Sequence, residues 1–68
     1  MDYKELKSAY LRIKEGKGSE DDKKKLIYEF NHLGGMSTEW FYSNIMGTIE
    51  DPSKEEIDEF LKVIESIL

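Results

Sequence analysis

The 68-residue sequence has no cysteine, and it has only one histidine, one proline and one tryptophan. Without cysteine, neither a disulfide framework nor a cysteine-based zinc site is possible. No apolar run approaches the ~20 residues that cross a bilayer. The N-terminus lacks the apolar segment of a secretory signal. We therefore expect a cytoplasmic protein that enters no membrane, folded as a single all-α domain over residues 1–68, because a chain of this length does not accommodate two domains.

Basic residues are also few, and they are nearly absent from residues 26–68. In total, 10 Lys and Arg stand against 15 Asp and Glu, which gives a formal net charge of −5. Residues 1–25 hold eight bases and six acids, whereas residues 26–68 hold two bases and nine acids. The two parts therefore carry +2 and −7. Such an asymmetry steers a charged partner, although a charged surface also serves solubility alone.

The strict alternation of apolar and polar residues that marks a half-buried strand is absent as well. Apolar residues recur instead at helical spacing in four segments, separated by glycines or by Pro52. The sequence therefore predicts an all-α fold, a compact small helical bundle of four helices in which the third one is short. The helices are expected from Asp2 to Glu15, from Ser19 to the Gly34-Gly35 pair, from Ser37 or Thr38 to Gly47, and after Pro52, with Asp51 or Ser53 as the N-cap of the last.

Few residues could support catalysis. His32 is the only histidine, and one histidine near a helix C-terminus is typically a surface residue that interacts with the helix dipole. It has no second histidine or cysteine at metal-ligand spacing. Gly16-Lys17-Gly18-Ser19 lacks the glycine spacing and preceding strand of a phosphate-binding loop. We therefore expect no catalytic residues, no cofactor, no metal site and no enzymatic activity.

Residues 23–46 resemble a helix-turn-helix motif, with Leu33-Gly34-Gly35-Met36-Ser37 as a turn that is one residue longer than usual. The second helix would read the bases, yet Thr38 to Met46 contains no Lys or Arg. Backbone contacts would have to come from Lys23, Lys24 and Lys25. The sequence pI of about 4.8 is also opposite to a DNA-binding footprint. Direct binding of nucleic acid is thus an alternative that we do not favour.

The run Trp40-Phe41-Tyr42 is the least ordinary feature of the sequence. Three consecutive residues span about 200° on a helix and do not all face one core. We assign Trp40 and Phe41 to the inward stripe with Ile45 and expect Tyr42 to point elsewhere, as Tyr28 does on the second helix. Trp and Tyr are enriched at binding hot spots. The alternative is that a small bundle covers both faces of its short helix.

The favoured function is that of a small acidic, non-catalytic regulator or inhibitor that occupies the surface of another protein. That partner is expected to be basic, for example a nucleic-acid-binding protein. By class, such chains are common among phage and mobile-element products that target a host protein. The alternatives are the helix-turn-helix regulator and a homodimeric structural subunit. The predicted partner-binding residues are Tyr28, Trp40, Tyr42, Glu50, Asp51, Glu55, Glu56, Asp58 and Glu59.

Overall fold

The computed structural model describes residues 2–32, 38–47 and 51–68. They form four helices, and none of these residues lies in a strand. The helices are α1 (Tyr3–Lys14), α2 (Glu20–His32), α3 (Thr38–Met46) and α4 (Lys54–Ile67). The predicted all-α bundle with a short third helix is confirmed. The radius of gyration, 10.9 Å, equals the roughly 11 Å of a compact chain of this length.

Capping residues set the ends of the helices. The Asp2 side chain accepts a hydrogen bond of 2.9 Å from the backbone N–H of Lys4 and so begins α1. Ser53 begins α4, because its hydroxyl accepts from the backbone N–H of Glu56 at 3.2 Å. The structure therefore selects Ser53 over Asp51 among the two predicted caps. Gly16 follows α1 with a φ of +79°, a conformation that favours glycine.

The core lies where α1 meets the other three helices. Leu6, Ala9 and Tyr10 are its buried residues on α1, as their predicted stripe requires. Leu26 on α2 and Ile64 on α4 are fully buried as well. The apolar face of every helix is thus directed at one shared interior, which is how a chain of 68 residues obtains a core at all.

Aromatic rings fill the middle of this core. Phe60 of α4 lies at the centre, with ring centroids 5.0 Å from Tyr10, 5.3 Å from Tyr42 and 5.8 Å from Phe41. The ring centroids of Phe30 on α2 and Phe41 on α3 lie 5.5 Å apart. Tilted and edge-on pairs at these distances are favourable beyond the area they bury. The aromatic cluster therefore links α1, α2, α3 and α4 through Phe60 and Phe41.

Two orientations predicted for α3 are wrong. Tyr42, expected to point away from the core, is only 6% exposed, whereas Trp40, expected inside, is 39% exposed. The buried stripe is Phe41, Tyr42 and Ile45, at positions i, i+1 and i+4. Tyr42 turns inward because α1 and α4 both flank it, and its ring packs on Tyr10 and Phe60. Surrounding helices, rather than the pattern of α3 alone, decide which aromatic residue is buried.

Other expectations concern the ends of segments. The sequence pattern places Leu68 on the apolar stripe of the last helix, but Leu68 follows the last helical residue of α4 and is 71% exposed. Leu11 lies off the buried face of α1 and is 37% exposed. The predicted turn at residues 33–37 and the predicted acidic residue Glu50 lie outside the described residues.

Candidate functional site

At one end of the contact between α1 and α2, which we call the closed end, Arg12 and Asp22 form an ion pair. Arg12 donates two hydrogen bonds to the carboxylate of Asp22, from Nε to Oδ2 at 2.8 Å and from an Nη to Oδ1 at 2.7 Å. The backbone N–H of Ser19 also donates to Asp22 Oδ2, and the Ser19 hydroxyl accepts from the backbone N–H of Asp22, both at 3.1 Å. Ser19 and Asp22 therefore form a capping box at the predicted start of α2, with Asp22 as its acid.

At this closed end, both carboxylate oxygens of Asp22 accept hydrogen bonds. Asp22 is the one buried charged residue in the described part of the chain, at 6% exposure. The hydrogen bonds from Arg12, followed by those from Ser19, hold the pKa of its carboxyl well below the usual range. Both oxygens have partners, so the closed end has a structural function and offers no unused group to a ligand.

The second end, near the start of α1 and the end of α2, opens as a groove of about 440 Å³. We call it the α1–α2 groove. Its lining combines two apolar side chains with five charged ones. The lining residues are Asp2, Glu5, Leu6, Lys24, Lys25, Tyr28 and Glu29.

Glu29 carries the most unusual atom of this groove. Its Oε2 is buried and has no hydrogen-bond partner among the described residues. Buried polar atoms are nearly always hydrogen-bonded, and leaving one without a partner costs about 1–3 kcal/mol. Glu29 also lies in the last turn of α2, where the helix dipole disfavours a negative charge. The Oε2 atom of Glu29 therefore lacks a hydrogen-bond donor among the described residues, although Lys24 and Lys25 line the same groove.

Tyr28 forms the exposed aromatic side of the groove. It is 64% exposed, which fits its predicted position off the apolar stripe of α2. Its ring stacks on the imidazole of His32, with centroids 5.7 Å apart and planes inclined by 8°. The stacking limits the rotamers of both side chains, so Tyr28 presents a positioned ring. His32 itself is exposed at the end of α2, as predicted for a surface residue.

A smaller recess of about 320 Å³ lies along the same pair of helices. It is lined by Lys4, Glu5, Ser8, Arg12 and Lys25. Three of these five residues are basic, but the guanidinium of Arg12 is already occupied by Asp22. Three of the eight basic residues of residues 1–25 therefore line this recess, and Glu5 and Lys25 line both the recess and the α1–α2 groove.

Two acids of the predicted acidic patch have partners on neighbouring helices. Glu56 is half-buried and accepts a hydrogen bond of 3.4 Å from the hydroxyl of Tyr42. Glu59 pairs with Lys14 of α1, with its Oε1 2.5 Å from the Lys14 Nζ. Both carboxylates thus link α4 to neighbouring helices. The exposed acids that remain of the predicted patch are Asp51, Glu55 and Asp58.

The predicted aromatic residues also lie apart. Burial first, and then the neighbouring carboxylate of Glu56, raise the pKa of Tyr42, which is a core residue and does not offer its ring to a partner. Trp40 is partly exposed on α3, where its backbone carbonyl accepts from the Asn44 amide at 2.8 Å. Of the aromatic residues predicted to bind a partner, only Tyr28 lines the α1–α2 groove.

The residues of α3 do not support the helix-turn-helix alternative. The buried residues of α3 are Phe41, Tyr42 and Ile45. Its charged side chain is the exposed Glu39, which would repel phosphate. Asn44, the one residue suited to base reading, already donates from its amide to Trp40. Helix α3 therefore carries no basic side chain for phosphate contacts or for bidentate contacts to guanine.

Sequence reasoning missed the other residues of the groove, although one signal for them is present. Asp22, Leu26 and Glu29 stand at positions i, i+4 and i+7 of α2 and so share one helical face. Two acids on the face that carries a core leucine indicate either an internal ion pair or a binding site. Asp22 forms an internal ion pair with Arg12. The Oε2 atom of Glu29 has no hydrogen-bond partner among the described residues.

Comparison with known proteins adds no relative. No family model, curated protein or solved structure matches this chain. Across residues 2–32, 38–47 and 51–68, no cluster of three or more acidic or histidine side chains could hold a metal ion. In the same part of the chain, no helix is both long enough and apolar enough to cross a bilayer.

Proposed function

We propose that the protein is a small non-catalytic module that binds another protein through the α1–α2 groove, and regulates or inhibits that partner by occupying its surface. The observation that carries the proposal is Tyr28, a ring that is 64% exposed at the side of a groove of about 440 Å³. Exposed tyrosines are among the residues most enriched at binding hot spots.

The chemistry of the lining supports binding rather than a reaction. Its polar side chains are carboxylates and ammonium groups, which recognise oppositely charged side chains. The only His in the chain stacks on the outside of Tyr28 rather than on a nucleophile. A net charge of −5 favours a basic partner, because opposite charge increases the rate of encounter. Asp51, Glu55 and Asp58 contribute to this attraction without themselves forming a pocket.

The experiment is affinity capture from a lysate of the source organism, with three immobilised proteins compared by mass spectrometry. They are the wild type, Tyr28→Ala and Leu11→Ala. Leu11 is a matched control, because it is exposed and apolar but does not line the groove. We expect a protein that the wild type and Leu11→Ala retain and Tyr28→Ala loses by more than tenfold, in line with hot-spot residues that contribute about 2 kcal/mol or more.

Circular dichroism must show the same helix content for all three proteins, so that the loss reflects the surface. The proposal is wrong if every captured protein binds equally to the wild type and to Tyr28→Ala. It is equally wrong if Leu11→Ala abolishes capture and Tyr28→Ala does not.

A further inference from the structure

The two sides of the α1–α2 groove carry an excess of opposite charge. Asp2 and Glu5 belong to α1 and its N-cap, and both are exposed. Lys24 and Lys25 belong to α2 and are exposed as well. Glu29 reduces the two positive charges of the α2 side to a net charge of +1, whereas the α1 side carries two negative charges. The excess charge therefore changes sign from one helix to the other.

The charged residues of the groove form no ion pair with one another. The ion pairs among the described residues join Arg12 to Asp22, Lys14 to Glu59 and Lys23 to Glu20. None of these pairs includes a residue that lines the groove. Asp2 caps α1 through its Oδ1 atom, but it too has no ion-pair partner within the described part of the chain. The exposed ammonium and carboxylate groups of the groove are therefore available to another molecule.

The division of charge makes the groove complementary to a copy of itself. In a two-fold dimer the same surface of both copies forms the interface. When the axis runs between the two sides of the groove, the α1 side of each copy lies opposite the α2 side of the other. Carboxylates then face lysines across the interface, and symmetry makes this pairing occur twice. A partner of one charge sign would be attracted by one side and repelled by the other, whereas a second copy matches both.

The apolar residues of the groove also favour burial against another chain. Leu6 is buried, whereas most of Tyr28 is exposed. Tyrosine is enriched at protein interfaces, because its ring gains from burial while its hydroxyl stays at a polar edge. A second copy seated on the groove would cover the Tyr28 ring and bring the charged residues of the two copies together.

We propose that two copies of this chain pair through their α1–α2 grooves about a two-fold axis, with the α1 side of each copy opposite the α2 side of the other. This inference goes beyond the proposed function and does not depend on it. The dimer covers Tyr28, so a second copy and a protein partner compete for one surface. Self-association is then a way to withhold the groove from that partner.

The direct test is analytical ultracentrifugation of the full chain over a range of concentrations. We expect the wild type to move from the 8.0 kDa of one chain towards twice that mass as its concentration rises. High salt should weaken the association, because exposed ion pairs are screened. A wild type that keeps the mass of one chain at every soluble concentration would overturn the inference.

Two double variants separate the groove from net charge. Lys24→Glu with Lys25→Glu makes both sides of the groove acidic, so like charges meet twice in the symmetric dimer. It should weaken self-association by more than about tenfold. Lys54→Glu with Lys62→Glu changes the net charge equally, at exposed residues of α4 that do not line the groove, and should have little effect. The same loss in both variants would show that net charge alone is responsible, and the inference would then be wrong.

A mixing experiment tests the alignment of the two copies. Asp2→Ser with Glu5→Lys gives the α1 side a positive charge, and serine can still cap α1. This variant should not self-associate, and neither should Lys24→Glu with Lys25→Glu. Mixed together, the two should pair, because each α1 side then faces an α2 side of opposite charge. Circular dichroism must show wild-type helix content for both. Failure of the mixture to pair, while the wild type does, would contradict the proposed alignment.

The capture experiment separates this inference from the proposed function. If the wild type is monomeric at every concentration and a captured protein depends on Tyr28, the protein-binding function stands and the dimer is wrong. If the wild type dimerises through the groove and no captured protein depends on Tyr28, the dimer stands and the proposed function is wrong.

Discussion

The two ends of the α1–α2 contact use the same residue types in opposite ways. At the closed end, the carboxylate of Asp22 is buried and every oxygen has a donor, from Arg12 and Ser19. At the open end, the carboxylate of Glu29 has a buried oxygen with no donor at all. Both acids lie on one face of α2, seven residues apart. Asp22 is thus fully paired within the fold, whereas Glu29 has an oxygen that the described residues leave without a donor.

The largest effect is expected when Asp22 is changed. Asp22→Ala removes both hydrogen bonds from Arg12 and the one that the Asp22 carboxylate accepts from the backbone N–H of Ser19. It leaves Arg12 without its partner and the start of α2 without its reciprocal cap. We expect a large drop in the urea midpoint of unfolding, monitored by circular dichroism. Asp21→Ala, which removes an exposed acid from the same turn, is the control and should change the midpoint far less. Equal effects of the two variants would contradict a special role for the closed end.

Lowering the pH should reduce the stability that the Asp22 carboxylate contributes at the closed end. The pKa of Asp22 is lower in the folded protein than its ordinary value of 3.8, because Arg12 and Ser19 donate to the charged form. The stability from this carboxylate is therefore fully present above the ordinary value and is lost as the pH falls through the folded-state pKa. The difference in unfolding free energy between wild type and Asp22→Asn should be constant above about pH 5 and shrink below pH 4. A difference that does not change with pH would contradict this linkage.

Gly18 tests how tightly the closed end is packed. A Cβ atom built on Gly18 would lie 2.9 Å from the Cα of Ile13, and closer still to the Ile13 side chain. Because a backbone atom yields little, Gly18→Ala should destabilise the protein by about 1–3 kcal/mol, as overpacking does. Chemical unfolding measures this loss. Lys17→Ala, at the exposed neighbouring residue, is the control, and an equal loss there would show that the loop rather than the Ile13 contact is responsible.

Most of the fold could be predicted from the sequence, because local rules dominate it. The stripe Leu6, Ala9 and Tyr10 follows helical spacing, and the Ser19 cap follows a known motif. The orientation of α3 could not be predicted. Trp40 and Tyr42 lie on either side of Phe41, and the choice between them depends on where α1 and α4 pack. A nine-residue helix has too few positions for its own pattern to decide.

The candidate site was less predictable than the fold. Tyr28 was predicted because a large aromatic residue off an apolar stripe must be exposed. Glu29 was not, since only the tertiary structure shows that its Oε2 has no hydrogen-bond donor among the described residues. For the same reason Glu56 and Glu59 were placed with the exposed acids, although Tyr42 and Lys14 engage them. Charge counts along a sequence do not show which charges are already used.

The smallest effect on stability, and the sharpest contrast with Asp22, is expected for Glu29. Glu29→Gln keeps the size of the side chain and removes a negative charge from the last turn of α2, where the helix dipole disfavours it. The urea midpoint should therefore stay at the wild-type value or rise. A clear loss of stability on Glu29→Gln would mean that the open end is a structural contact like the closed end, and Glu29 would then no longer distinguish the two.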